Sequence, residues 1–167
     1  MSNAIKLEIT QSVAKEYFSY NPETGKVIRI KSKMKSSIGR ELKPRRDGYF
    51  QVAIAGSYIM VARLVFLIMT GSFPKVDVDH INGDKADNRW SNLREATKSE
   101  NLQNQRQARS DNSTGYLGVS LEKKTGKFRS YITIEGNHAY LGTFTKAEDA
   151  HAAYLRAKAC VHPFSML

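Results

Sequence analysis

The sequence predicts an α+β fold: N-terminal β-hairpins and a helix lead into a compact polar segment, and a three-stranded sheet with one helix follows. Three observations carry this. Short β-branched and aromatic runs alternate with turn residues near the amino terminus, one apolar run recurs at helical spacing from Val61, and a second group of β-rich segments precedes an alanine-rich run.

Within residues 16–30, two short strand-like segments flank Asn21-Pro22-Glu23-Thr24-Gly25, whose residue types suit a tight turn, so a hairpin is expected. Residues 31–46 are basic and nearly devoid of large apolar side chains, which reads as a loop. Strand composition resumes over 48–59 around an expected turn at Gly56-Ser57. Val61, Leu64, Val65 and Ile68 then share a helical face, Gly71 is placed to end that helix in a left-handed conformation, and Pro74 prevents its continuation. Thr97-Lys98-Ser99-Glu100 fits a capping box, which puts Asn101 in the first turn of a helix and Gln105 one turn further on. The polar stretch 104–113 has little to bury and marks a linker or an exposed helical extension. A boundary near Asp111 gives two domains, 1–110 and 111–167. In the second, breaks at 124–126 and 135–137 leave three strands between Tyr116 and Phe144, and a helix is expected over 146–159, with Ala150, Ala153, Tyr154 and Ala157 on one close-packing face.

A chain of 167 residues holds one sizeable core or two small ones. Lysine and arginine outnumber the acids 26 to 16, for a net charge of +10 and a pI near 9.7. That balance favours a polyanionic partner: nucleic acid first, a membrane surface or the ribosome as alternatives. The longest apolar stretch is interrupted by Arg63 and falls short of the roughly 20 residues that cross a bilayer. The amino terminus lacks the order of a secretory signal, so a cytoplasmic location is expected. Cys160 is the lone cysteine, and neither an intrachain disulfide nor a paired-cysteine zinc site can be built from it.

The chemistry concentrates in Asp79-His80-Ile81-Asn82-Gly83-Asp84, with Asn88, Asn92 and Asn101 following in order. An isolated Asp-His pair is usually an ordinary polar turn. The ordered set with a helix start at Asn101 points elsewhere. Phosphodiester hydrolysis needs a base to activate water, a cation to stabilise developing charge, and a scaffold that holds them in place. His80 suits the base, since an unperturbed imidazole titrates near about 6.5. Asp79 and Asn101 offer oxygens, which favour Mg2+, or Mn2+, over zinc.

This run, with Asp87-Asn88-Arg89, Ser91-Asn92-Leu93-Arg94 and Ser99-Glu100-Asn101, resembles the HNH, or ββα-metal, nucleases, in particular the free-standing homing-type endonucleases of bacteriophages. The resemblance extends upstream through residues 20–25 and 48–50. It implies Asp79 as a metal ligand, His80 as general base, Asn92 as the amide that braces the loop and orients the histidine, and Asn101 as second metal ligand. Gln105 stands where some relatives have a third ligand, and here it would contact metal or water. Asn101 replaces the family's final histidine, which argues against zinc. Ala62-Arg63 stands where relatives often carry His-Arg. Arg63, Arg94 and Lys98 are candidate phosphate contacts. Location in a bacterial host's cytoplasm follows if the chain is phage-encoded.

In the second domain Gly115-Tyr116-Leu117-Gly118-Val119, Gly126-Lys127-Phe128, Tyr140-Leu141-Gly142-Thr143-Phe144 and Ala147-Glu148-Asp149-Ala150 resemble the ethylene-response-factor, or APETALA-two, DNA-binding domain. The resemblance implies a three-stranded sheet presented to the major groove, with Lys124, Lys127, Arg129, Tyr131, Thr133 and Tyr140 as candidate contacts. Leu117, Ser120 and Glu122 replace arginines of the plant domains, so their target preference does not transfer. The expected function is a metal-dependent endonuclease, homing-type or nicking, acting on double-stranded DNA as a monomer or dimer. The alternatives are a non-catalytic DNA-binding protein on a degenerate HNH scaffold, and a nuclease for branched or damaged DNA.

Overall fold

In the computed structural model, which describes residues 8–109 and 111–165, contacts separate the chain into two units, Met1–Glu95 and Ala96–Leu167.

The first unit opens on α1 (Gln11–Tyr17), whose N-cap Thr10 accepts a hydrogen bond from the Val13 amide. The sequence carries no periodic signal for this helix, which buries little beyond Ala14 and so has no apolar stripe. The strand expected from Glu16 begins instead at Phe18: β1 (Phe18–Tyr20) pairs antiparallel with β2 (Val27–Arg29). Between them the Asn21 Oδ1 accepts from the Glu23 and Thr24 amides at 2.9 and 3.0 Å, a side-chain-mimicked turn. Residues 31–46 form an irregular segment with one 3-10 turn at Lys35–Ser37 and a bridge from Ile28 to Glu41.

The second hairpin, β3 (Gln51–Ile54) with β4 (Ser57–Met60), turns on Ala55 and Gly56, one residue earlier than expected. Both have positive φ, 50° and 74°. A two-residue hairpin loop closes best with that mirror-image turn, because its twist matches that of the strands. Next comes α2 (Val61–Thr70), as the spacing predicts, ended by Gly71 at φ 86° with its amide bonded to the Leu67 carbonyl. Leu64 and Val65 are fully buried, and Phe18, Val27, Val52 and Leu93 complete the core around this helix. The unit closes with β5 (Asp77–His80) and β6 (Leu93–Ala96), neighbours in a two-stranded sheet, the last residue of β6 being the first of the second unit.

The first hairpin also supports the connection between β5 and β6. Tyr20 Oη donates to the Asn88 carbonyl at 2.9 Å, and the Trp90 amide donates to the Pro22 carbonyl at 3.1 Å. Gly25, at φ 71°, sits so close that a Cβ there would lie 2.5 Å from the Arg89 nitrogen and 2.7 Å from the Asn88 carbonyl carbon. Only glycine fits that approach.

In the second unit α3 (Lys98–Gln103) carries the expected capping box, Thr97 Oγ1 accepting from the Glu100 amide and Glu100 Oε2 from the Thr97 amide. The helix stops at Asn104, so Gln105 lies beyond it rather than on its next turn; the Gln105 side chain donates to the Gln107 carbonyl at 3.0 Å. Three antiparallel strands follow, β7 (Val119–Glu122), β8 (Lys127–Ile134) and β9 (Asn137–Phe144), then α4 (Ala147–Val161). Ala150, Ser130 and Ile132 are buried where α4 packs on the sheet, and the Tyr154 ring lies against Gly118 so closely that no side chain fits there. Lys158 of α4 is wholly buried and donates to the Gln105 carbonyl at 2.6 Å, which ties the stretch after α3 to the helix that packs on the three-stranded sheet. The contact division accordingly falls at Glu95–Ala96, ahead of the boundary near Asp111 that composition suggests. Among the described residues no helix is long and apolar enough to cross a membrane.

Gly25→Ala is expected to destabilise the protein by about 2 kcal/mol or more, the scale of a left-handed non-glycine residue aggravated by backbone overlap. A lower urea midpoint with unchanged slope would show it.

Candidate active site

The candidate site is built on β5 and the loop behind it. Asp79 and His80 end β5, each only 5% exposed. The chain then leaves the strand through a series of side-chain-capped turns. Asn82 Oδ1 accepts from the Asp84 amide, Asp84 Oδ1 from the Ala86 amide, and Asp87 Oδ1 from the Arg89 amide, all at 2.9 to 3.2 Å. Short polar side chains that mimic backbone carbonyls suit such a loop, and this explains the density of Asn and Asp in it.

Asn92 closes the loop from the other end. Its Oδ1 accepts from the Asn82 amide at 2.9 Å, its Nδ2 donates to the Asp87 carbonyl at 2.8 Å, and its own carbonyl accepts from the Ile81 amide at 2.9 Å. A buried amide with both ends engaged fixes the two arms of the loop to one another. Trp90, beside it, packs edge-on against Phe66 of α2 at 4.9 Å between ring centroids. The loop is thereby anchored on the core.

The His80 ring nitrogen Nε2 lies 3.4 Å from Asn88 Oδ1. An amide oxygen only accepts, so the contact belongs to the tautomer with its hydrogen on Nε2 and its lone pair on Nδ1. Asn88 is itself buried, with Nδ2 donating to the Ala86 carbonyl at 3.3 Å. The residue that meets the imidazole is therefore Asn88, while Asn92 holds the loop on which Asn88 stands. The sequence names Asn88 without a role, and only its place under the hairpin supplies one. Burial pushes the His80 pKa below its ordinary value, against the opposing pull of Asn88 and of the carboxylates Asp79, Asp84 and Asp87. The imidazole is neutral at pH 7, the form that accepts a proton. Asp87, held by Arg89, drops to about 2.

Asp79 faces a cation of the protein itself. Arg94 on β6 directs Nε and Nη2 at the same carboxylate oxygen, Oδ2, at 2.9 and 2.7 Å. Arg63 is likewise engaged, donating to the carbonyls of Val76 and Pro74 at 3.0 and 3.1 Å. Asn101, in the first turn of α3, Lys98, exposed at its start, and Gln105 belong to the second unit. Among the described residues no cluster of three or more His, Cys, Asp or Glu side chains gathers.

In the second unit the strand register places Arg129, Tyr131 and Thr133 of β8 with Tyr140 of β9 on the sheet face opposite the buried Ser130 and Ile132. Tyr131 and Tyr140 lie 5.4 Å apart between ring centroids, Thr133 Oγ1 meets His138 Nδ1 at 3.0 Å, and the Tyr140 hydroxyl meets Thr143 Oγ1 at 2.6 Å. His138 and Thr143 thus join the face, although sequence reading did not single them out. Arg129 pairs with Glu122, and Lys124 and Lys127 stand exposed at the β7–β8 turn.

Residues 60–103 match the family model of HNH endonucleases, the interval that contains Asp79, His80, Asn88, Asn92 and Asn101. Among solved structures, the chain is similar to that of the HNH homing endonuclease I-HmuI, described for its DNA binding and cleavage: 26% identity over 82% of this chain and 78% of that one, with a TM-score of 0.42. No curated protein matches the chain.

The His80 shift carries a sign. With the folded pKa below the unfolded value of about 6.5, the unfolded chain takes up a proton that the folded protein refuses, so stability falls as pH drops below about 6.5 and levels off beneath the folded pKa. The imidazole should titrate below 6.5 by NMR, and His80→Gln should flatten the decline in urea midpoint between pH 7 and 5. A titration above the ordinary value would contradict the burial argument.

Proposed function

We propose that the protein is a metal-dependent DNA endonuclease that hydrolyses phosphodiester bonds, of homing or nicking type. One observation carries the reading: a buried, neutral imidazole beside a buried carboxylate, on a loop held by Asn92, inside the interval that matches HNH endonucleases. An exposed polar turn does not withdraw a carboxylate and an imidazole from water at one strand end, and the match to HNH endonucleases over 60–103 adds weight to a catalytic reading of the pair.

In this reading His80 takes the proton of the attacking water, and Asn88 and Asn92 act as positioning residues, the first at the ring and the second through the loop. Asp79 supplies the anionic oxygen for a divalent cation, and Asn101 the neutral one by its place in the sequence motif. An oxygen-only donor set fits Mg2+ or Mn2+ with water completing the shell. Such a cation supplies charge stabilisation for the phosphorane and the leaving oxygen. Gln105, off the helix and bonded to the Gln107 carbonyl, is the weaker candidate for a ligand.

Duplex DNA is the partner in this proposal. The second unit serves as its APETALA-two-like binding module, with Tyr131, Thr133 and Tyr140 offered from the open sheet face and Lys124 and Lys127 to phosphates. Lys98, exposed, is a ready phosphate contact, whereas Arg63, Arg94 and Arg129 must first leave the partners that hold them. Phosphate contacts position the protein and carry little sequence information, so a separate reading face beside a nuclease makes physical sense.

The test is supercoiled plasmid incubated with Mg2+, with chelator, and with His80→Ala. Cutting should need the metal and fall by at least about a hundredfold in the variant, the scale of a lost general base, while duplex affinity survives. Affinity without any cutting by the unmodified protein would instead favour the non-catalytic DNA-binding protein. For the second unit, Lys124→Gln with Lys127→Gln should weaken binding to every duplex alike and flatten its salt dependence by roughly two phosphates' worth of slope. Tyr131→Ala should alter the preference among sequences.

A further inference from the structure

The Asp79–Arg94 pair carries an inference beyond the roles just proposed, although it rests on Asp79 as a metal ligand. Two nitrogens of one guanidinium converge on a single oxygen of a carboxylate whose side chain is 6% exposed, while Arg94's own side chain is 22% exposed. This geometry differs from the forked pairing in which Arg spreads its donors over both carboxylate oxygens. It puts a full positive charge at the oxygen a divalent cation would seek. The carboxylate is withdrawn from water, so a nearby charge acts on it with little screening. Arg94 stands on β6, the neighbour of β5, and its long stem lets the guanidinium move without displacing either strand.

We propose that Arg94 is a latch on Asp79: its guanidinium occupies the carboxylate in the metal-free protein, competes with the divalent cation, and becomes available to phosphate only once Asp79 has turned to the metal. The ion pair and the phosphate contact are mutually exclusive uses of one side chain. By linkage, metal and DNA then favour each other's binding.

The experiment is calorimetric titration of Mn2+ into the full chain without DNA. Arg94→Met, which keeps the length of the stem, should bind Mn2+ about tenfold more tightly than the unmodified protein, equivalent to about 1.4 kcal/mol. A gain of affinity cannot arise from unfolding. Arg89→Met, which removes an equal charge from the loop ahead of β6 and from Asp87 rather than Asp79, should leave the Mn2+ affinity within about twofold, since screening weakens an exposed charge. In a His80→Ala background, added Mn2+ should raise duplex affinity severalfold, and adding Arg94→Met should remove that gain. An Arg94→Met protein that binds Mn2+ no more tightly than the original overturns the latch, and so does an equal tightening in Arg89→Met. Asp79→Asn separates the two levels of the argument: undiminished Mn2+ binding there overturns the metal site itself, whereas loss there with no gain in Arg94→Met overturns the latch alone.

Discussion

The carboxamide of Asn92 joins the two arms of the loop that leaves β5 and returns through β6, and the position of His80 depends on that closure. One arm is held through the Asn82 amide and the other through the Asp87 carbonyl, so the intervening Asp and Asn turns have fixed ends. Fixed ends let Asn88 stand within reach of the imidazole. His80, Asn88 and Asn92 are buried, so loss of one leaves a buried polar partner poorly satisfied, and the arrangement behaves as a unit rather than as a set of independent bonds.

The first hairpin acts on the same loop from outside. Tyr20, Pro22 and Gly25 all meet the backbone at Asn88–Trp90, two through hydrogen bonds and one by direct approach. The aromatic contact between Trp90 and Phe66 transfers the loop's position to α2 and the core. An N-terminal segment with no chemistry of its own therefore contributes to the geometry around a histidine that follows it by many residues. Burial does the electrostatic part. It keeps the imidazole neutral despite three nearby carboxylates, and it strengthens the grip of Arg94 on Asp79.

Much of the fold is legible in the sequence because its signals are local. Asn21-Pro22-Glu23-Thr24-Gly25 and Gly71 carry their turn chemistry in the residues themselves, Thr97 and Glu100 cap one another across three positions, and the strands of the second unit alternate between breaks. What escaped lacks such a signal. Helix α1 has one buried residue and no periodic stripe, the turn at Ala55 places an unbranched but non-glycine residue at positive φ, and α3 ends at Asn104, earlier than the capping box alone could say.

The candidate site divides in the same way. By itself the sequence determined which side chains are present and in what order: Asp79, His80, the asparagines after them, and the helix start at Thr97 that puts Asn101 in a first turn. These follow from residue type and spacing. Tertiary structure alone decided that Asn88 meets the imidazole, that Asp79 is occupied by Arg94, that Arg63 is committed to the carbonyls at Pro74 and Val76, and that burial lowers the pKa of His80. The reason is physical. A hydrogen bond or a desolvation cost depends on what other parts of the chain bring to within a few ångströms, and no local pattern encodes which distant partners those will be.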